Sequence, residues 1–476
     1  MNLGFDPWIP VTCADGAPRR VSLADVFREG REIADLAARP QERIALMRLL
    51  VCVAQAALDG PAEEEDWPEA EALLPGRAMA YLEKWRDRFE LFGDGPRFLQ
   101  VRAAEMSEFE ASKLLFHRAS GNNSTLFDHE GGSPRRLAPA DFALALLCFQ
   151  NMSASIGAGY TGKAPCLDRH FLQTWLIGGN LLATILANGV DRATAGAACP
   201  AGFGRPVWET DIAFGDRQFE RNTTLSFLGR LAPVTRQVWL NEDGSGFELA
   251  KAGVSHPVFE EYREAAATIL TVSKQDKVER FLLRGELQKQ PWRDLQHIVE
   301  ARQDARTNRP LPLQRAEPAP FQRLWLGALI TDGKGKYEDT IEAVYRDVPS
   351  ELLSGLGHSI YADGIGFANA WRQRLGKAVA AYAARLKSPP EYARAERHFW
   401  NALDQRVPEL FAVVRNVASL GGRTFREART PWSDSVRMAA HAAYRFACPR
   451  ETPRQIQAFA AGLGQLRPPK PPKETK

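Results

Sequence analysis

Ser155-Ile-Gly-Ala-Gly-Tyr-Thr-Gly-Lys-Ala164 decides which folds are open to this chain. Gly157, Gly162 and Lys163 match the glycine-lysine spacing of a phosphate-cradling P-loop. The next residue should carry a hydroxyl for magnesium, but it is Ala164, and Pro165 follows at once. A P-loop is also fed by a buried strand, whereas Phe142–Met152 (FALALLCFQNM) reads as a helix. The stretch is therefore a helix-fed glycine loop rather than a nucleotide-hydrolysing one. It has no side chains at Gly157, Gly159 and Gly162, so its backbone can approach another surface closely. Taken alone it reads first as an ordinary surface turn, and its neighbours change that weighting.

Composition narrows the class. At 476 residues the chain exceeds one hydrophobic core, so two or three domains are expected. No apolar run approaches the roughly 18 residues of a membrane span. The N-terminus, MNLGFDPWIP, lacks the basic flank and apolar core of a signal peptide, so a cytoplasmic protein without membrane contact is expected. The six cysteines show no C-x-x-C spacing and are expected to be reduced packing residues. Net charge is only +3, but 47 of the 61 basic residues are Arg, the better planar phosphate reader.

Along the chain, Trp8–Val11 is expected to be extended, with a turn at Asp15-Gly16, followed by helices over Glu42–Leu58 and Ala80–Phe92. Glu63–Asp66 reads as an acidic linker. The patterns over 227–240 and 267–283 predict strands and hairpins, and 302–320, rich in Arg and Pro, a crossing segment. Near the C-terminus, Ser388-Pro-Pro-Glu391 and Thr452-Pro-Arg-Gln455 fit capping boxes, and Thr430-Pro431 is a further helix start. Helices near 360–387, 389–418, 431–448 and 453–466 are expected. The second is stopped by Gly421-Gly422 and carries an apolar stripe from Tyr392 through Phe399, Leu403, Leu410 and Val414 to Val417.

No catalytic cluster is visible. The eight histidines form no H-x-H or H-E-x-x-H, carboxylates are dispersed, and no G-x-S-x-G elbow occurs. An enzyme is therefore not expected; a stand-alone nuclease or NTPase is the alternative reading. Loops are more informative. Ser120-Gly-Asn-Asn-Ser-Thr-Leu-Phe-Asp128 places amides and one large aromatic where phosphates and a base could be held. Thr331-Asp-Gly-Lys-Gly-Lys-Tyr337 puts two lysines between glycines in a hairpin context.

These loops, with Asn2-Leu-Gly-Phe-Asp-Pro-Trp-Ile-Pro-Val11, resemble the CasA family, the large subunit of the type I-E CRISPR complex Cascade. Lys84-Trp-Arg-Asp-Arg-Phe89, Gly95-Pro-Arg-Phe-Leu-Gln100, Leu114-Leu115 and Ala395-Glu-Arg-His-Phe-Trp400 extend the resemblance over nearly the whole chain.

The resemblance implies an α+β fold: a large mixed α/β domain over 1–357, a C-terminal four-helix bundle over 358–468, and a disordered tail over 469–476. It implies a non-catalytic subunit without cofactor or metal, because the Cys-rich zinc insertion of some members is absent. Such a subunit partners other Cascade proteins and CRISPR RNA, recognises the protospacer-adjacent motif in double-stranded DNA, promotes strand opening and R-loop formation, and recruits a helicase-nuclease.

By the same resemblance, Gly157, Ala158, Gly159 and Tyr160 form a minor-groove glycine loop. Lys274 or Lys277 is a lysine finger, and spacing does not choose between them. Gly333, Lys334, Gly335 and Lys336 stand where the family's strand-separating wedge often carries glutamine. Gly121, Asn122, Asn123 and Phe127 face the guide RNA.

Overall fold

The computed structural model describes residues 1–115, 136–152, 156, 159–160, 167, 171–251, 257, 259, 264–274, 277–300, 309–315, 323–331, 337–419 and 429–467. The chain forms two compact units: Met1–Leu287 with Asp304–Arg346, and Gln288–Gln303 with Asp347–Lys476.

In the first unit, two helices form the centre of the core. Pro40–Leu58 starts with proline in its first turn and with Glu42 accepting a hydrogen bond from the Arg39 backbone N–H (3.0 Å). It ends at Asp59, whose φ of 55° is left-handed. Pro139–Met152 is buried continuously from Phe142 onward, as an all-round apolar helix must be. Both follow the sequence expectation.

Around them lie short antiparallel sheets. The strands are β1 (Ile9–Cys13), β2 (Pro18–Val21), β3 (Ile33–Leu36), β4 (Ser107–Glu110), β5 (Gln173–Ile177), β6 (Val238–Leu240), β7 (Gly246–Leu249), β8 (Ile269–Lys274), β9 (Lys277–Leu282), β10 (Arg323–Thr331) and β11 (Tyr337–Arg346). They associate in the orders β2-β1-β3, β11-β10-β5 and β4-β7-β6, with β8-β9 as a separate hairpin.

The expectation of strands throughout 227–240 is corrected. Phe227–Leu231 is a helix, because Ser226 accepts a hydrogen bond from the Gly229 N–H (3.1 Å) and caps it; only Val238–Leu240 is extended. The acidic stretch before Trp67 is likewise not a bare linker, since Glu64–Asp66 makes a single 3₁₀ turn. Cys52, Cys148, Cys199 and Cys448 are buried thiols, as packing residues should be, while Cys13 is half-buried.

The second unit is helical. Gly355–Leu386 packs against Tyr392–Asp404, Val407–Ser419, Thr430–Ala447 and Pro453–Leu463. The helix expected over 389–418 is thus two, making five of these helices rather than four among the described residues. Pro408 explains the break at Gln405-Arg406: it lacks the N–H that would bond the Asp404 carbonyl and its ring would clash with that carbonyl, so it sits in the first turn of a new helix.

Ser388 is not a cap. Its N–H instead bonds the Ala383 carbonyl at the end of the preceding helix (3.1 Å), and Glu391 precedes the next helix without a side-chain cap. Thr430-Pro431 does open a helix, Thr430–Ala447, with proline in its first turn and Arg429 at the N-cap position. Tyr392 is 47% exposed and so leaves the apolar stripe, whereas Phe399, Leu403, Leu410 and Val414 are buried. The Thr452–Gln455 capping box forms as expected. Trp292, from the short segment Pro291–Asp294, packs edge-on against Trp400 and Trp432, each at 5.9 Å. No described helix is long and apolar enough to cross a membrane.

Candidate nucleic-acid interface

The glycine loop begins where helix Pro139–Met152 ends, and the Leu167 N–H closes its base on the Asn151 carbonyl (3.1 Å). Within it, Gly159 has φ +85°, a conformation that side chains rarely adopt, while a Cβ there would meet nothing within 4 Å among the described residues. Glycine is therefore favoured at 159 by backbone shape. Tyr160 anchors the loop: its hydroxyl lies 2.7 Å from Ser107 Oγ, and its ring stands edge-on to Phe109 at 4.9 Å, both on β4. Gly157 and Ala158 lie outside the described residues.

β8 and β9 pair in register from Ile269↔Leu282 to Lys274↔Lys277. The two candidate finger lysines are thus the last paired positions on either side of a two-residue connection, equivalent by register. The foot of this hairpin joins β5, through the bridges Phe171↔Arg284 and Gln173↔Ala267 and through Thr174 N–H to the Ala266 carbonyl (2.8 Å).

β5 also pairs antiparallel with β10, Gln173 opposite Gly327. From Gly327, β10 continues past that end of β5 to Thr331, which faces Tyr337 of β11. Tyr337 is partly buried against the core, and burial, reinforced by Asp339, raises its hydroxyl pKa above the usual tyrosine value. Gly333, Lys334, Gly335 and Lys336 lie in the connection between these strands, outside the described residues. The foot of the lysine hairpin, the return from the glycine loop and the strands that carry the lysine-glycine connection therefore meet at one end of the β11-β10-β5 sheet.

The loop containing Gly121, Asn122, Asn123 and Phe127 is outside the described residues, but both its roots are held by one turn. Ala111 N–H bonds the Ser245 carbonyl (3.1 Å) and Leu137 N–H the Gly244 carbonyl (3.0 Å). Gly244 has φ +77°, and a Cβ on it would collide with the Leu137 carbonyl oxygen.

Sequence reasoning missed the polar groups buried under these roots. Gln150 Nε2 donates to the carbonyls of Leu99 (2.8 Å) and Arg236 (3.0 Å), while its Oε1 accepts from the Thr235 N–H (2.8 Å). Arg48 Nε donates to Asn151 Oδ1 (2.8 Å) and Arg48 Nη1 to Glu264 Oε2 (2.7 Å); Arg230 also pairs with Glu264. Burial lowers the Arg236 pKa to about 10. The available signal was Arg48, flanked on both sides by apolar residues in ERIALMRLLVCVAQAAL, and a Gln-Asn pair ending FALALLCFQNM.

A mixed α/β unit that carries long loops on short antiparallel sheets, together with a unit of long helices, is the fold of a class of CRISPR-associated proteins. The solved structure of Thermus thermophilus CasA (Cse1) matches it with a TM-score of 0.77 at 24% identity, covering 98% of both chains. A chain of a CRISPR RNA-guided surveillance complex matches with a TM-score of 0.71 at 19% identity, covering 98% of this chain and 99% of that one. This chain belongs to the family of CRISPR-associated protein Cse1, whose profile matches residues 2–443. The CasA/Cse1 protein of Thermus thermophilus is 29% identical over 486 aligned positions, 93% of this chain and 91% of that protein.

Proposed function

We propose that this chain is the non-catalytic large subunit of a type I-E Cascade, recognising a protospacer-adjacent motif in duplex DNA, promoting strand opening and R-loop formation, and recruiting the helicase-nuclease. Family membership supports the assignment to the complex. The observation that carries the DNA reading is the meeting of three loop roots at one end of the β11-β10-β5 sheet. A minor groove is about 6 Å wide, so it admits a glycine backbone more readily than branched side chains, and its readout is degenerate enough to accept several related motifs. Guide pairing would read the rest of the target, leaving the protein to nucleate a nearly balanced strand exchange. In this reading Gly157 to Gly159 enter the groove, Tyr160 holds the loop at its base, Lys274 or Lys277 steadies the same base pairs, and Lys334 and Lys336 flank the fork. The loop of Gly121, Asn122, Asn123 and Phe127 meets the guide RNA.

The test is reconstitution of the complex with and without this chain. With it, duplex bearing the motif should be opened and bound in preference to duplex lacking it; equal binding without it removes the proposal. Replacing Asn122, Asn123 and Phe127 by Ala should reduce incorporation before DNA is added. Full incorporation with a selective DNA defect would move this loop to the DNA face.

A further inference from the structure

Away from these loops, the first unit contains a concave cavity of about 550 Å³, within the range of small-molecule sites. It is lined by the small residues Ala56, Ala57 and Ala80 and by Arg77, Lys84, Arg192 and Arg205, with two carboxylates, Asp59 and Glu209.

Both carboxylates are engaged. Arg192 Nη1 donates to Asp59 Oδ1 (2.7 Å), and Glu209 Oε1 accepts from the Tyr81 hydroxyl (2.7 Å), which itself accepts from Trp208 Nε1 (2.8 Å). Burial, with Glu209 adding to it, raises the Tyr81 pKa far above its ordinary value, so this hydroxyl stays neutral. Arg77, Lys84 and Arg205 have no carboxylate within ion-pair distance among the described residues. Arg77 gives one N–H to the Leu58 carbonyl (3.2 Å), and Lys84 lies 5.1 Å from the Trp85 ring centroid.

The walls are built rather than loose. The backbone of Arg205 is clamped in both directions by Asn222, its N–H donating to Oδ1 (3.1 Å) and its carbonyl accepting from Nδ2 (2.9 Å). Gly204 beside it has φ +70°, and a Cβ there would overlap Ser226 Oγ. Arg77, Ala80, Tyr81 and Lys84 share one face of helix Trp67–Lys84. Like charges gathered around a concavity repel one another and focus a positive potential into it, and a bound anion would relieve that repulsion.

We infer that this cavity binds a phosphorylated small molecule of mononucleotide size, its phosphate held by Lys84, Arg77 and Arg205 and its remaining bulk lying against the lining alanines. The site is distinct from the proposed DNA-facing loops and does not depend on them.

The experiment uses the isolated full-length chain, with adenosine 5′-monophosphate, adenosine, inorganic phosphate and a short thymidine oligonucleotide as probes in calorimetric titration. Saturable binding of the monophosphate, weaker binding of phosphate and none of adenosine is the expected result. Lys84→Ala and Arg205→Ala should each weaken it about tenfold. Ala80→Leu, which adds bulk to the lining and leaves every charge in place, should abolish it with the melting curve unchanged. Adenosine binding as well as the monophosphate, no monophosphate binding, binding of the oligonucleotide alone, or unaltered affinity in Ala80→Leu would each overturn the inference.

Discussion

Arg48 and Glu264, 216 positions apart in the chain, form an ion pair of 2.7 Å with side chains only 1% and 2% exposed. Arg48 also holds Asn151, whose carbonyl closes the glycine loop, and Glu264 lies three residues before Ala267, where the lysine hairpin joins β5. One buried pair thus ties together the bases of two loops. Removing one partner of such a pair leaves an uncompensated buried charge, which costs about 3–5 kcal/mol. Glu264→Gln should therefore lower unfolding free energy by about that amount in urea titration. Arg48→Met combined with Glu264→Gln should cost less than the sum of the single changes, the signature of direct coupling. Strict additivity would contradict the pairing.

Gly159 separates backbone shape from bulk. With φ +85° and no described residue within 4 Å of its missing Cβ, Gly159→Asn should be tolerated, because Asn visits left-handed geometry. Gly159→Val should strain the loop by about 1–3 kcal/mol and weaken binding of the assembled complex to motif-bearing duplex. A target whose strands are already separated should bind normally. Equal behaviour of the two variants on closed duplex would remove the glycine loop from motif recognition.

If Lys334 and Lys336 flank the fork as proposed, strand opening should be sensitive to salt. A lysine at a duplex fork neutralises phosphates and releases counterions, whereas a glutamine wedge acts through shape and hydrogen bonds. Lys334→Ala with Lys336→Ala should slow opening and flatten its dependence on salt, and a pre-opened bubble beside the motif should restore binding. Equal impairment on bubble and closed duplex would make these lysines general phosphate anchors.

Acid should weaken the helical unit through His297. Burial lowers its pKa, Lys289 and His358 lower it further, and Asp294 and Glu300 oppose them. Above the unfolded value of about 6.5 the ring is neutral in both states and its contribution is fully present. As pH falls, the unfolded chain takes up the proton first, so stability declines until the lower folded pKa is passed. His297→Gln should flatten the unfolding free energy of this unit between about pH 7 and 5. A profile unchanged by the substitution would rule His297 out as the sensor.

Much of the fold was legible in local patterns. The run ERIALMRLLVCVAQAAL contains no Gly or Pro and forms most of a helix; TILTVSKQDKVERFLL alternates around a polar centre and forms the β8-β9 hairpin; Thr452 and Gln455 cap each other as their spacing requires. Errors arose where two local signals competed. A continuous apolar stripe across 392–417 outweighed Pro408 in the reading, yet the chain breaks before that proline. The aromatic and β-branched content of 227–240 outweighed Ser226, yet the serine caps a helix.

What the sequence by itself determined is the list of loops and their order: a glycine loop, a hairpin with Lys274 and Lys277, a lysine-glycine turn between two strands, and the motifs that place the chain in its family. Those are properties of neighbours in the chain, where spacing and turn chemistry act over a few residues. Only the tertiary structure decided that Gln173 has Gly327 on one side and Ala267 on the other, so that these loops share a foundation, and that Arg48 meets Asn151 and Glu264 beneath it. The physical reason is that a buried polar group must find its partner wherever docking of the elements brings one, and periodicity along the chain carries no record of which distant residue that will be.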